Sequence, residues 1–387
     1  MLTETETCEL NSGYTELTGI DWNFSDVTYG QSQCLTHCFH PYAAKFIPQI
    51  PRRLIKMYAP RSEDVVLDPF CGSGTTLVEA KFAGRHSIGV DMNPLAIMIS
   101  KSKVNRINRN KLRKFIHWLD ELKLRDAKGF RTDKMYFSDD RIWFREDILG
   151  QIDVVLRRLR RIDDSNTRNF VTVGLSSILK GISNARMDRI VPTLPRRPRY
   201  IDYKHYGKVV DNLARKINVF SRLSSRLKLM EYRLELFLSQ ASNAKALPYL
   251  GDARRLDELD SPLLKKGMIK LVITSPPYWS AFDYEKIHSL SLDLFKLNRK
   301  SFESEIGQQD YLADMEKVYD EISCYLASRG KFCLVIGRSR RRINRQLADL
   351  GRKYDMPLRE KFIRKIRNHS FFVKGIKSEE ILVFQKR

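Results

Sequence analysis

No stretch of this 387-residue sequence approaches the ~20 consecutive apolar residues that a membrane-spanning helix requires. Cysteine is scarce and scattered: Cys8, Cys34, Cys38, Cys71, Cys324 and Cys333 are the six in the chain. Cys34 and Cys38 have His37 and His40 beside them. No second Cys/His pair follows at finger spacing, so reduced, non-ligating cysteines are expected, and no metal. Acidic residues are in deficit: 46 Asp and Glu stand against 69 Lys and Arg, a net charge of +23. Apolar residues are plentiful, 42% of the chain with 10% aromatic, which excludes global disorder. A chain that can build a core and is this basic points to a polyanion partner, most simply nucleic acid. The opening run MLTETETCEL is polar and acidic and fits neither a signal nor a transit peptide, so a cytoplasmic protein is expected.

Internal repeats are also missing, and the chain divides by pattern instead. Residues 1–30 are polar and without periodicity, a loose arm. A short helical pattern follows near Pro51–Tyr58. Asp64–Asp68 predicts a buried strand ending in a Gly-rich turn, and Thr75–Ala83 predicts a helix with Leu77, Val78, Ala80 and Phe82 at apolar spacing. Ser87–Asp91 predicts a second strand, after which Asn93 caps and Pro94 starts another helix. These elements make residues 31–104 one half of a core. The rhythm then stops. Residues 105–250 hold 32 Lys and Arg against 16 Asp and Glu, a net of +16. They include Arg157-Arg158-Leu-Arg160-Arg161 and Pro195-Arg196-Arg197-Pro-Arg199-Tyr200. The expectation is a mostly helical inserted domain at 105–245.

Alternation resumes over 246–387. Tyr249–Asp252 predicts a strand end, Ile269–Ile273 a buried strand, Gln309–Ala327 a helix and Lys331–Gly337 another buried strand. Arg342–Arg352 predicts a basic helix, and Phe371–Gly375 with Glu380–Phe384 a terminal antiparallel hairpin. Strands alternating with helices imply an α/β, doubly wound, largely parallel sheet covered on both faces.

The turn Asp68-Pro-Phe-Cys-Gly72-Ser-Gly74-Thr75-Thr76 joins a strand to a helix, and its glycines let the backbone bend tightly and approach a ligand. It lacks the Gly-Lys-Ser/Thr of a triphosphate loop and the third glycine of the dinucleotide fingerprint. A carboxylate at the strand end, Asp68, repels pyrophosphate but attracts an ammonium or sulfonium group. Asp91, at the end of the next strand, is placed to accept from ribose hydroxyls. An adenosine with a positive tail suits both carboxylates, and that ligand is S-adenosyl-L-methionine.

The run DPFCGSGTT at 68–76, the acidic Asp91 and TSPPYW at 274–279 together resemble the amino-group DNA methyltransferases, especially their cytosine-N4 members. The resemblance covers roughly 31–104 and 245–387 and stops at the insertion. It implies a seven-stranded, Rossmann-like fold and S-adenosyl-L-methionine as cofactor, with Asp68, Phe70, Gly72, Gly74 and Thr75 around the methionine part. Phe39–Phe46 looks like the family's other methionine-side motif, which implies His40 and Tyr42. Gly251-Asp252 resembles the third strand end, which implies Asp252 at the adenine amino group.

Ser275-Pro276-Pro277-Tyr278 follows a buried strand, and two prolines with fixed φ and no N–H make a stiff loop of pure carbonyl acceptors. The cytosine N4 lone pair is delocalised into the ring. Accepting its N–H bonds at the Ser275 hydroxyl and the Pro276 carbonyl localises the pair toward a sulfonium methyl, in a direct displacement without a covalent enzyme intermediate. Tyr278 would stack on a flipped base, with Trp279 widening the wall. Phe282-Asp283-Tyr284 and His288 fall where the family continues this loop, or simply lead into a helix. Within the resemblance, Ser at the first position favours cytosine-N4. The alternatives are adenine-N6 methylation, RNA guanine-N2 methylation, whose enzymes share a similar Gly-rich run, and a DNA-binding relic of the fold.

The insertion is the expected recognition region for double-stranded DNA, with Arg157, Arg158, Arg160, Arg161, Arg186, Arg189, Arg196, Arg197 and Arg199 as candidate contacts. The resemblance implies a restriction-modification role beside a separate cognate endonuclease, in a prokaryotic cell and associated with the nucleoid.

Overall fold

The buried apolar runs become one sheet in the computed structural model, which describes residues 21–43, 45–123, 143–194, 216–277, 283–299, 310–337, 341–366 and 378–387. Among the described residues the sheet has seven strands: β1 (Val65–Asp68), β2 (His86–Asp91), β3 (Ala246–Leu250), β4 (Ile269–Thr274), β5 (Leu326–Gly337), β6 (Leu358–Lys365) and β7 (Ser378–Gln385). They lie in the order β3-β2-β1-β4-β5-β7-β6. The first five are parallel, and β7 runs antiparallel to both β5 and β6. Parallel strands covered on both faces need apolar side chains, hence the apolar stretches Val65–Leu67 of β1, Leu271–Ile273 of β4 and Phe332–Ile336 of β5. The order reverses between β1 and β4. A crevice opens at such a switch point, beyond the carboxyl ends of the strands.

Helices α1 (Tyr29–Ser32), α2 (Gln49–Tyr58), α3 (Thr75–Phe82) and α4 (Pro94–Val104) belong to the first half. The Asn93 side chain accepts from the Leu95 N–H and Pro94 opens α4, as the sequence predicts. In the second half lie α9 (Tyr284–Leu294), α10 (Tyr311–Tyr325) and α11 (Arg341–Lys353). Between the halves come α5 (Arg109–Glu121), α6 (Glu146–Leu159), α7 (Ser165–Ile182) and α8 (Val219–Gln240). The apolar faces of these four helices do not form a core of their own. Leu112, Phe170, Val173 and Leu227 join Leu77 of α3 and Leu95 and Ile99 of α4 in one buried cluster. Gly174 permits the close crossing, since a Cβ there would lie 2.6 Å from Leu227 Cδ2. The insertion is therefore an outer helical layer fused to the first half.

Two expectations are corrected. The arm at 1–30 is not loose throughout: Trp22 and Phe24 are buried, and the Trp22 ring stacks on Phe362 at 4.6 Å because two large aromatics gain more by burial than the chain loses by ordering. Residues 1–20 lie outside the described residues. The terminal hairpin exists, but the described partner of β7 is β6, Leu358–Lys365. The Phe371–Gly375 segment lies outside the described residues. Strand β6 escapes notice in sequence because, as the sheet edge, it exposes Arg359, Lys361 and Lys365 at alternate positions. Helix α10 also ends two residues earlier than expected, where β5 begins.

No helix among the described residues is long and apolar enough to cross a membrane.

Candidate active site

The Gly-rich turn after β1 is held at each backbone step. The Cys71 N–H donates to the Val90 carbonyl at 2.9 Å, and the Gly72 N–H donates to Asp91 Oδ2 at 2.8 Å. From α4, Ser100 Oγ donates to the Gly72 carbonyl at 2.9 Å and Lys103 Nζ to the Ser73 carbonyl at 2.7 Å. Lys103 is fully buried, and that burial pushes its ammonium well below the ordinary lysine range. Both glycines have positive φ, +48° at Gly72 and +78° at Gly74. They serve different neighbours. A Cβ at Gly74 would come within 2.7 Å of Ser100 Oγ, whereas one at Gly72 would lie 3.2 Å from the Tyr42 ring. Gly74 thus lets α3 approach α4, and Gly72 faces a cavity.

Asp68 joins this turn to the Pro-Pro turn. Its side chain is buried between β1 and β4. Oδ2 accepts from the Thr76 hydroxyl at 2.5 Å, and Oδ1 accepts from the Thr274 hydroxyl at 2.7 Å and the Phe70 N–H at 3.2 Å. Thr274 immediately precedes Ser275, so one carboxylate fixes the ends of both turns. Burial pushes the Asp68 carboxyl up to about 7, against the pull of those donors. Burial likewise pushes Asp91 up to about 6, although it accepts from the Asn93 and Gly72 N–H groups.

A cavity, partly open to solvent, lies at these strand ends. Asp68, Phe70, Gly72, Thr75, Asp91 and Tyr42 line it from the cofactor side, and Ser275 and Pro277 line it from the other. The two turns therefore share one space. Of the remaining candidates, Pro276 is buried but does not line the cavity, and neither does Gly74. His40 Nε2 instead pairs with Ser176 Oγ of α7 at 2.8 Å, and Ser176 Oγ contacts Ser291 Oγ of α9 at 2.7 Å. His40 is a bridge between segments. Asp252 is gripped in bidentate fashion by Arg254, at 3.0 and 2.6 Å, and it is the adjacent Ala253 that reaches the cavity. Tyr278 and Trp279 lie outside the described residues.

Sequence reasoning missed Lys45, Asn93 and Tyr284 as lining residues. Lys45 Nζ donates to the His37 carbonyl at 3.0 Å and Gln33 Oε1 at 3.2 Å, and burial pushes it down to about 8. Its signal was a lone lysine inside the apolar run Ala43-Ala-Lys45-Phe46. Tyr42 forms an aromatic wall with Tyr284, 6.4 Å away, and His288, 4.8 Å away. Behind the site, Glu79 of α3 is buried between Arg52, at 2.7 and 3.1 Å, and His37 Nε2, at 2.8 Å. Burial pushes His37 down to about 4, so it is neutral at pH 7 and donates its Nε2–H to Glu79.

The arrangement suits a ligand with a cationic centre, a diol and a carboxylate. Asp68 and Asp91 answer the first two and the Lys45 ammonium the third. Among the described residues no three His, Cys, Asp or Glu side chains are grouped to hold a metal ion.

The candidate arginines divide. Arg157 Nε donates to Asp153 at 2.6 Å, Arg186 pairs with Asp188 at 2.6 Å, and the Arg158 guanidinium lies 5.6 Å from the Trp118 ring centre. Arg160, Arg161 and Arg189 are exposed, and Arg196, Arg197 and Arg199 lie outside the described residues.

The chain matches a family model described as DNA methylase over residues 6–102. It is 23% identical to the Type II methyltransferase M.MjaII of Methanocaldococcus jannaschii, over 82% of this chain and 75% of that one. It is 26% identical to the Type II methyltransferase M.MvaI of Kocuria varians, over 63% of this chain but only 53% of that one, about half its length. A shorter match, 31% identical over 25% of this chain and 30% of the other, is to a tRNA (guanine(10)-N2)-dimethyltransferase of Methanocaldococcus jannaschii.

Proposed function

We propose that the chain is an amino-group DNA methyltransferase that methylates the exocyclic N4 amine of cytosine in duplex DNA, with S-adenosyl-L-methionine as methyl donor. One observation carries this: the Gly-rich turn and the Ser-Pro-Pro turn line the same cavity and are tied through Asp68.

Bound there, S-adenosyl-L-methionine supplies an electrophilic methyl group on a sulfonium. Asp68 contributes negative potential toward the positive end, Asp91 accepts from the ribose hydroxyls, and Lys45 offers an ammonium to the carboxylate. The Ser275 hydroxyl, on the cavity wall, accepts from the target NH₂ and draws its lone pair out of conjugation. Because both turns are rigid, most of the acceleration comes from orientation and fixed dipoles. The amine of a stacked base cannot enter a cavity of this kind, so the base leaves the helix, with Tyr278 stacking on it. The N–H proton is lost after transfer, when the amine nitrogen is cationic and acidic.

The relatives named Type II methyltransferases support a modification role paired with a separate endonuclease. The second reading, RNA guanine-N2 methylation, is favoured by the shorter tRNA-enzyme match. Ser275 supports cytosine over adenine-N6, the remaining alternative.

The test is direct. Duplex DNA and tRNA are each incubated with methyl-labelled cofactor and digested to nucleosides. N4-methylcytosine from DNA supports the proposal. N6-methyladenine would reassign the base, label in guanosine from tRNA would reassign the polymer, and cofactor binding without transfer to either would favour a relic.

A further inference from the structure

The C-terminal segment is the most basic part of the chain, and the nine candidate arginines of the insertion leave it out. Residues 338–387 hold 16 Lys and Arg against 5 Asp and Glu, a net of +11. The topology sets where two of those charges, Arg345 and Lys365, fall. Strand β5 pairs Leu334 with Thr274 and continues past the end of β4 to Gly337. Gly337 pairs with Glu379, and Ser378 pairs with Lys365. The end of β6 and the start of α11 are therefore on the same sheet end as Ser275. Lys365 is three strand spacings from β4, ~14 Å.

This end is rigidly built. Asn344 Nδ2 donates to Glu380 Oε2 at 2.9 Å and to the Gly337 carbonyl at 3.4 Å, which pins the first turn of α11. Arg364 is buried and paired with Glu379 at 3.0 Å. Beside these neutralised groups, Arg345 and Lys365 are exposed and have no carboxylate partner among the described residues. The helical layer α5–α8 covers the molecule on the opposite side, where α4 meets β3.

We propose that the catalytic-end strip formed by α11 and β6, with Arg345 and Lys365 as its cations, contacts the phosphates of the same DNA duplex whose base enters the cavity. The assignment rests on the DNA methyltransferase function. The strip flanks the cavity on the side away from the helical layer, so the duplex is held from both sides. Arg352, which lies 3.4 Å from Asp349, and Arg359, both exposed at the opposite end of α11 and β6, provide an internal control of equal formal charge.

The experiment measures the affinity of the full chain for a fluorescently labelled duplex between about 50 and 200 mM salt. Arg345→Gln with Lys365→Gln is compared with Arg352→Gln plus Arg359→Gln. The catalytic-end pair is expected to reduce the slope of log K against log salt by about 1.8, two phosphate contacts' worth, while the control pair leaves it unchanged. Equal slopes in both pairs overturn the proposal, as does self-association of the catalytic-end pair without a slope change. A loss seen on tRNA but not on duplex DNA overturns it in favour of RNA. Failure of wild type to bind duplex overturns the DNA function itself, so the two failures are distinguishable. Matched circular dichroism and thermal melts establish that both pairs are folded.

Discussion

The two basic regions of this protein divide their charge differently. In the helical layer at 105–250 three of the candidate arginines are engaged within the structure, Arg157 with Asp153, Arg186 with Asp188 and Arg158 beside Trp118, while Arg160, Arg161 and Arg189 are exposed. At the catalytic end of the C-terminal segment, Arg345 and Lys365 carry charge with no partner among the described residues. The first region has the larger total, +16, but the second has +11 in 50 residues, twice the density. A run of arginines in a sequence reports composition. Only the fold tells which of those charges still faces a partner.

The comparison presumes that both regions flank one rigid chemical centre, and disrupting that centre should have the largest effect. Glu79 compensates Arg52 and orients His37 behind the Gly-rich turn. Glu79→Ala leaves those groups without their acceptor and should cost roughly 3–5 kcal/mol of stability in denaturant titration. A cost below 1 kcal/mol would show that the cluster does not anchor this half.

Asp91→Ala should weaken cofactor affinity about 10–100-fold by calorimetry, the worth of a charged hydrogen bond. Unchanged affinity would remove the ribose assignment. The pH dependence has a definite sign. Asp68 and Asp91 sit near 7 and 6, so each protonates as pH falls through those values and loses its attraction for a cation. Affinity for S-adenosyl-L-methionine should therefore fall as pH is lowered from about 8 to 5. In the ligand-free fold these two carboxyls bind protons more readily than the unfolded ones and so contribute stability as pH falls from about 7 toward 4, while buried His37 and His288, pushed down to about 4, contribute with the opposite sign over the same window. A pH-independent affinity would contradict both carboxylate roles.

Thr274→Val deletes one donor to buried Asp68 while keeping the shape of the side chain. It should lower kcat about tenfold with a smaller change in cofactor KM, and Thr274→Ser should restore it. Equal loss in the Val and Ser variants would indicate a packing role alone. The smallest effect returns to the charges. Arg160→Gln with Arg161→Gln should lower the salt slope of DNA affinity by about 1.8, whereas Arg157→Gln, already spent on Asp153, should leave it unchanged. A slope change in Arg157→Gln would erase the distinction between the regions.

Legibility followed range. Strands β1, β2 and β4 were visible because burial on both faces leaves short apolar stretches at Val65–Leu67, Ile88–Val90 and Leu271–Ile273. Both turns were visible because Gly72, Gly74, Pro276 and Pro277 encode their backbones locally. The bond from Thr274 to Asp68 spans 206 positions and has no local pattern. Lys45 reads as an ordinary basic residue until the fold closes over it. Strand β6 was hidden because, at the sheet edge, five of its eight residues are charged. Asp252 and His40 stand at strand or motif positions that suggest ligand contact, yet Arg254 and Ser176 claim them. Proximity in sequence to a motif did not decide which side chains reach the cavity.

The claim that two turns make one site is tested most directly at Ser275. Ser275→Ala and wild type are compared by calorimetric titration of S-adenosyl-L-methionine and by single-turnover transfer of labelled methyl to duplex DNA. The prediction is unchanged cofactor affinity with transfer slowed by about 100-fold or more, the loss of one oriented hydrogen-bonding group at a reacting atom. Transfer at the wild-type rate would contradict it.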